Sequence, residues 1–150
     1  MGIPVGQPAP EFNLLDQKGQ NVSLKDFRGK KPIVLYFYPK DDTPGCTTQA
    51  CTFRDQFEDF KDAGAEVLGV SSDSPESHAQ FATKYRLPFR LLSDTGEKVR
   101  NLYGVSSTLG LLPGRLTFVI DKQGVIRHSF SSQFRPKKHV EEALKILKES

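Results

Sequence analysis

The sequence has few cysteines and no long apolar run. Its 150 residues include no tryptophan, one methionine and two cysteines. Two cysteines cannot form a framework of structural disulfides, and a chain of this length can bury a hydrophobic core without one. No apolar run approaches the roughly 20 residues that a helix needs to cross a bilayer. We therefore expect a single domain over residues 1–150 that does not span a membrane.

An excess of charge of one sign is also missing. The chain has 21 basic and 18 acidic residues, for a net charge of +3, and the basic residues are scattered along it. A nucleic-acid-binding protein usually shows a basic stripe or cluster, which this sequence lacks. We therefore predict no nucleic-acid partner.

Motifs for metals and nucleotides are absent as well. The three histidines, His78, His128 and His139, lie far apart and form no short metal-ligand spacing with each other or with a cysteine. The sequence contains no GxGxxG, Walker-type loop or HExxH motif. We expect no metal and no cofactor, and we interpret each histidine as a surface residue or a hydrogen-bonded structural one.

Short runs rich in β-branched and aromatic residues predict buried strands, which we interpret as parallel. Helical patterns lie between and after them, and this alternation is typical of an α/β domain. The predicted strands are Ile33–Tyr38, Glu66–Val70 and Leu116–Ile120, and the predicted helices are Gln49–Ala63, Pro75–Tyr85, Glu97–Leu102 and Lys137–Lys148. The turn sequence Asp121–Gly124 before an alternating run at 125–130 predicts a hairpin, so the sheet is expected to be mixed.

Cys46 follows the first predicted strand, at the point where a loop leads into a helix. Unpaired backbone N–H groups and the helix dipole favour an anion at such a position, which for cysteine is the reactive thiolate. A repeat of four, three, four and three residues places Cys46 on one helical stripe with Ala50, Phe53, Phe57 and Phe60. The sulfur of Cys46 is therefore predicted to point inward, whereas Cys51 lies about 140° around the helix and points elsewhere.

Pro39, Thr43 and Cys46 form the pattern PxxxTxxC directly after a buried strand, and this pattern resembles the active-site signature of the peroxiredoxins. The resemblance extends to the opening GQPAPEFNLLDQKGQNVSL and to PGRLTFVID, which contains Arg115. The spacing CTTQAC, with Cys51 five residues after Cys46, resembles the subgroup called peroxiredoxin Q or bacterioferritin comigratory protein. This resemblance to the peroxiredoxins implies a thioredoxin-like fold with a mixed central sheet flanked by helices on both faces.

The same resemblance implies a thiol peroxidase that reduces hydrogen peroxide and organic hydroperoxides. Cys46 would attack the peroxide and become a sulfenic acid, and Cys51 would then condense with it to a transient disulfide. Thioredoxin or a similar dithiol would restore both thiols. Pro39 would restrict the loop, while Thr43 and Arg115 would hold the peroxide oxygens and stabilise the leaving oxygen. Members of the subgroup are typically monomeric, so a monomer is expected.

Two other functions remain open from the residues alone. A thioredoxin-like protein disulfide oxidoreductase would share the fold, but its usual CxxC is absent because four residues separate the cysteines here. A non-catalytic binding or chaperone module would keep its binding activity after both cysteines are replaced. The opening MGIPVGQPAPEF has no signal-peptide or transit-peptide pattern, which predicts a cytoplasmic protein, or a chloroplast protein if a transit peptide has been removed.

Overall fold

The computed structural model describes residues 2–105, 107–108, 112–132 and 134–149. Its strands are β1 Asn13–Leu15, β2 Asn21–Ser23, β3 Ile33–Phe37, β4 Glu66–Ser71, β5 Arg90–Ser93, β6 Ser107–Thr108, β7 Leu112–Pro113, β8 Leu116–Ile120 and β9 Ile126–Ser131. Seven of these described strands form one sheet in the order β2, β1, β5, β4, β3, β8, β9, while β6 pairs with β7. The resemblance assigns no role to the segment 105–112, of which residues 106 and 109–111 lie outside the described residues.

Helices cover both faces of this sheet. They are α1 Pro44–Asp55, α2 Phe57–Asp62, α3 Pro75–Tyr85, α4 Lys98–Leu102 and α5 Pro136–Lys148, with a short 3-10 helix at Leu24–Asp26. Alternate residues of β3 point to opposite faces. Val34 and Tyr36 pack with residues of α1, α2, α3 and α5, whereas Leu35 and Phe37 pack with residues of α4 and the N-terminal segment. The predicted mixed sheet with helices on both faces is confirmed.

One predicted strand direction is wrong. β3 and β4 are parallel, as expected, and β5 is parallel to β4, but β8 runs antiparallel to β3, with Phe37 opposite Leu116 and Ile33 opposite Ile120. A strand covered by helices on both faces is apolar along its whole length in either direction, so its composition does not reveal its direction. The observed direction brings the end of β3 and the start of β8 to the same edge of the sheet.

The first long helix also differs from its prediction. It begins at Pro44 rather than Gln49, and Gln56, at φ −106° and ψ 13°, interrupts it before α2. No proline or glycine marks this break, so the sequence carries no local signal for it. Phe53 and Phe60 on its two sides still meet in the core, with ring centroids 5.4 Å apart, while Phe57 is only half-buried.

Other elements agree closely with the sequence. α3 has the predicted bounds, and the Ser74 side chain accepts a hydrogen bond from the Ser77 N–H at its start. The predicted hairpin joins β8 to β9, with Gly124 at φ +83° in its turn. Sequence reasoning missed β5 and the β1–β2 hairpin, whose strands have only three or four residues each. The single domain over 1–150 stays a prediction.

Helix length bears on the membrane expectation. None of the helices in the described part of the chain combines the length and the apolar character needed to cross a bilayer.

Candidate active site

The loop after β3 places Cys46 in the first turn of α1. Thr43 occupies the N-cap position in an extended conformation and Pro44 is the first helical residue, a position where a missing N–H costs no hydrogen bond. Cys46 is therefore the third residue of the helix, close to its unpaired N–H groups. Its side chain belongs to the apolar cluster between α1 and the sheet, so the predicted inward orientation agrees with the structure.

Arg115 contacts Cys46 from the start of β8, which lies beside the end of β3. It directly precedes β8, whose antiparallel pairing places it beside the end of β3. Its Nη2 lies 3.4 Å from the Cys46 Sγ, and both residues are almost fully buried, at 5% and 1% exposure. The buried guanidinium therefore donates a hydrogen bond to this sulfur and places a positive charge beside it.

Gln49 holds the other end of this guanidinium and was missed in the sequence. It lies three residues after Cys46 in α1 and is fully buried. Its Oε1 accepts a hydrogen bond of 2.5 Å from the Arg115 Nη1. Residues three apart in a helix share a face, so a polar residue at this position was a usable signal.

Gly45 makes room for the arginine. A Cβ added at this position would lie 3.0 Å from the Arg115 Nη2. That separation is shorter than an ordinary contact between a carbon and a nitrogen atom, so a side chain here would press directly on the arginine.

Thr43 and Pro39 line the loop that leads to Cys46. Both are half-buried. The Thr43 Oγ1 donates its proton to the Lys40 carbonyl at 2.9 Å. Since a hydroxyl has one proton and two lone pairs, the Thr43 oxygen remains able to accept a hydrogen bond from another molecule.

Cys51 lies in the same helix as Cys46 but does not meet it. Both cysteines are free thiols, and Cys51 is half-buried. Burial raises the pKa of Cys51, Arg54 opposes this shift and Asp55 adds to it. Five residues of helix separate the two Cα atoms by about 7.5 Å along the axis, so the structure brings Cys46 and Arg115 together and leaves Cys51 apart.

Two of the three histidines are buried structural residues, as the sequence interpretation allowed. The Nε2 of His139 contacts the Ser132 carbonyl at 2.8 Å, and its Nδ1 contacts the Thr117 hydroxyl at 2.8 Å. Burial lowers the pKa of His139 to about 4, the hydrogen bond to Ser132 opposes this shift, and the nearby charge of Arg115 adds to it. His139 is therefore neutral at physiological pH.

His78 belongs to a group of three side chains that have the right atom types for a metal, together with Asp41 and Asp73. These atoms are already engaged with their neighbours. The Asp41 carboxylate contacts the His78 Nδ1 at 2.7 Å and accepts hydrogen bonds from Tyr38 and Ser77. The Asp73 carboxylate accepts from the Asp41 N–H and from a serine hydroxyl. This network anchors the active-site loop to α3, and we assign no metal to it.

Comparisons relate the chain to known proteins. The profile of the AhpC/TSA family matches residues 5–129. A "Peroxiredoxin Q, chloroplastic" of Sedum lineare is 59% identical over 146 residues, which cover 97% of this chain and 78% of that protein. The crystal structure of the peroxidoxin BcpB of Mycobacterium tuberculosis superposes with a TM-score of 0.91 at 37% identity, over 98% of this chain and 97% of the other.

A second solved structure is that of the bacterioferritin comigratory protein of Xanthomonas campestris, described for its alkyl peroxide reduction activity. It has a TM-score of 0.85 at 33% identity and covers 92% of this chain and 90% of that one. These likenesses over most of both chains confirm the predicted thioredoxin-like fold.

Proposed function

Because the chain belongs to the AhpC/TSA family, as a thiol-dependent peroxidase of the peroxiredoxin Q subgroup, we propose that Cys46 is its peroxide-reducing thiol and Cys51 its resolving thiol. The contact between the Cys46 Sγ and the Arg115 guanidinium carries this proposal. It joins a thiol at a helix N-terminus to a buried cation that can also bind an oxygen atom next to that thiol.

The reaction runs in three steps. The Cys46 thiolate attacks the terminal oxygen of ROOH, the O–O bond breaks, and Cys46 becomes a sulfenic acid while RO⁻ takes a proton and leaves as water or alcohol. The Cys51 thiol then attacks the sulfenic sulfur, which releases water and forms a disulfide. An external dithiol reduces this disulfide by two exchange reactions.

Positioning contributes more to the rate than ionisation does. An ordinary thiol is already a few per cent thiolate near neutral pH, so complete ionisation gains only on the order of tenfold. The remainder must come from alignment of the peroxide and from charge stabilisation. Arg115 donates hydrogen bonds to the peroxide oxygens. The Thr43 hydroxyl donates its own proton to the Lys40 carbonyl and accepts a hydrogen bond from the peroxide. Pro39 restricts the loop that carries Thr43 and leads to Cys46.

We further propose that thioredoxin, or a dithiol protein like it, is the reductant and that the chain acts as a monomer without a cofactor, a metal or a nucleic acid. The curated relatives with 56 to 59% identity are named chloroplastic, which favours the chloroplast over the cytoplasm as its location. Immunodetection in isolated chloroplasts and cytosol tests the location, and light scattering of the reduced protein tests the monomer.

The cysteine roles are tested by peroxide-dependent NADPH oxidation through thioredoxin reductase and thioredoxin. We expect Cys46→Ser to abolish turnover because no other group in the site can accept the oxygen atom. Cys51→Ser should consume one equivalent of peroxide and then stop, since its sulfenic acid has no partner thiol. Full turnover by either variant would remove that cysteine from its proposed role.

The roles of Arg115 and Thr43 are tested by comparing two reactions of Cys46. Arg115→Ala and Thr43→Val should slow oxidation by peroxide by about 100-fold or more and slow alkylation by iodoacetamide much less, because alkylation mainly reports the thiolate. Stopped-flow measurements in a Cys51→Ser background give both rates. Equal losses in both reactions would mean that these residues act only through the ionisation of Cys46.

A further inference from the structure

Arg100 is a second buried arginine at the same edge of the sheet. It lies in α4, on the opposite face of the sheet from α1, and is 4% exposed. Its Nη1 donates to the Gly114 carbonyl at 2.7 Å and its Nη2 to the Tyr38 carbonyl at 2.9 Å. Gly114 directly precedes Arg115, and Tyr38 directly precedes Pro39. One guanidinium therefore joins the two backbone segments that carry the proposed catalytic residues.

The fork of the guanidinium suits this bridge. It offers several N–H donors in a fixed plane, whereas a lysine presents a single point charge on a flexible stem. No described carboxylate lies within ion-pair distance of Arg100, and its guanidinium donates to two neutral carbonyls. Burial lowers the pKa of Arg100, while the nearby charges of Glu97, Asp94 and Cys46 oppose this shift.

The backbone of Arg100 is fixed from the same region. The Asp94 carboxylate accepts hydrogen bonds from the N–H groups of Val99 at 3.1 Å and Arg100 at 2.8 Å. The N–H of Asp94 in turn donates to the Ser71 carbonyl at the end of β4. The guanidinium also lies 5.8 Å from the centroid of the Phe37 ring. Arg100 is thus held by its contact with β3 and by Asp94, which directly follows β5 and is itself hydrogen-bonded to the end of β4.

We propose that Arg100 is a positioning residue for peroxide reduction, which sets the separation between the Cys46 loop and Arg115 by bridging the Tyr38 and Gly114 carbonyls. The inference rests on the proposed function of Cys46 and Arg115. Displacement of a reacting group by about 1 Å can cost on the order of 100-fold in rate. Loss of this bridge would therefore slow the peroxide reaction without removing any group that touches the peroxide.

Arg100→Lys is the decisive variant because it keeps the charge and loses the fork. In a Cys51→Ser background, we expect Arg100→Lys to lower the rate constant of Cys46 oxidation by hydrogen peroxide by about tenfold to 100-fold. The rate of Cys46 alkylation at pH 7 should change by less than about threefold, because the charge near the thiolate remains. Arg100→Met should lower both the oxidation rate and the alkylation rate of Cys46, since it removes the positive charge as well as the fork.

Lys98→Met is the matched control, as Lys98 is an exposed cation in the same helix. It should leave both rates unchanged. Thermal unfolding of every variant shows whether a loss comes from unfolding. An Arg100→Lys protein that keeps its peroxide rate would overturn the proposal, and so would one that loses both rates in the same proportion. Absence of peroxide oxidation in the parent Cys51→Ser protein would instead overturn the proposed function.

Discussion

Gly45 shows how a missing side chain takes part in the site. It lies in the first turn of α1, where alanine would favour the helix by up to about 1 kcal/mol, and it does not adopt a positive φ. An added Cβ would nevertheless press on the Arg115 Nη2. The arginine cannot move away freely because Gln49 and Cys46 hold its two terminal nitrogens.

We therefore expect Gly45→Ala to slow peroxide oxidation of Cys46 by tenfold or more, where each factor of ten corresponds to about 1.4 kcal/mol of activation free energy. The variant should be at least as stable as the wild type. Stopped-flow oxidation and thermal unfolding measure the two effects. Gly96→Ala is the control, because nothing lies within 4 Å of a Cβ at Gly96 and its φ is ordinary. A Gly45→Ala protein with the wild-type rate would show that Arg115 can shift without consequence.

The helix that carries both cysteines must change during the reaction. A disulfide requires Cα atoms within about 6.8 Å and converging Cβ vectors, whereas two cysteines five residues apart in a helix lie about 7.5 Å apart along its axis and point about 140° away from each other. The first turns of α1 are weak enough to open. The hydroxyls of Thr48 and Thr52 bond back to carbonyls four residues earlier, which slightly destabilises a helix.

We expect disulfide formation to unwind α1 between Cys46 and Cys51 and to leave the sheet intact. On the N-terminal side, the hydrogen bonds of Asp41 to Tyr38 and Ser77 anchor the loop. On the C-terminal side, the fully buried Phe53 anchors the rest of the helix. Hydrogen exchange should show faster exchange of the amides of 46–51 in the disulfide form than in the reduced form.

Amides of β3 and β4 provide the internal control for this experiment, because they should exchange equally slowly in both forms. Equal protection of amides 46–51 in the two redox states would contradict the expected unwinding. It would mean that the two thiols can meet within the folded helix.

At the scale of the whole molecule, the buried His139 makes the stability of the fold depend on pH. It connects α5 to β8 through Thr117 and to the segment after β9 through Ser132. Its pKa is lowered to about 4 in the folded protein and is about 6.5 in an unfolded chain. As the pH falls, the unfolded chain binds the proton first. The effect on stability is therefore absent above about pH 6.5 and develops as the pH falls towards 4.

We expect the free energy of unfolding to decrease by about 3 kcal/mol between pH 6.5 and 4 because of His139 alone, since one pKa unit corresponds to about 1.4 kcal/mol. Urea unfolding at a series of pH values measures this slope. His139→Gln should lose it, whereas His128→Gln, at a half-buried histidine near Glu142, should keep it. An unchanged slope in His139→Gln would assign the acid sensitivity to other groups.

Local features of the site could be predicted from the sequence. Pro39, Thr43 and Cys46 lie within eight residues of each other, and a buried strand, a loop and a helix start determine their relative positions through backbone geometry alone. Helix bounds marked by Ser74 and Pro75, and a turn marked by Gly124, were also predicted, because each of these residues acts on its own backbone. The resemblance to the peroxiredoxins supplied Arg115, which no spacing in the sequence connects to Cys46.

Only the tertiary structure decided what distant segments do to each other. The direction of β8 brings Arg115 to Cys46, since a parallel β8 of five residues would place it about 16 Å away at the other edge of the sheet. Sheet pairing sets that direction, and the composition of a strand buried on both faces does not encode it. The same holds for the contact of Gln49 with Arg115 and for the bridge of Arg100 between Tyr38 and Gly114. These contacts join residues up to 66 positions apart, and they exist only because the packed sheet and helices bring those positions together.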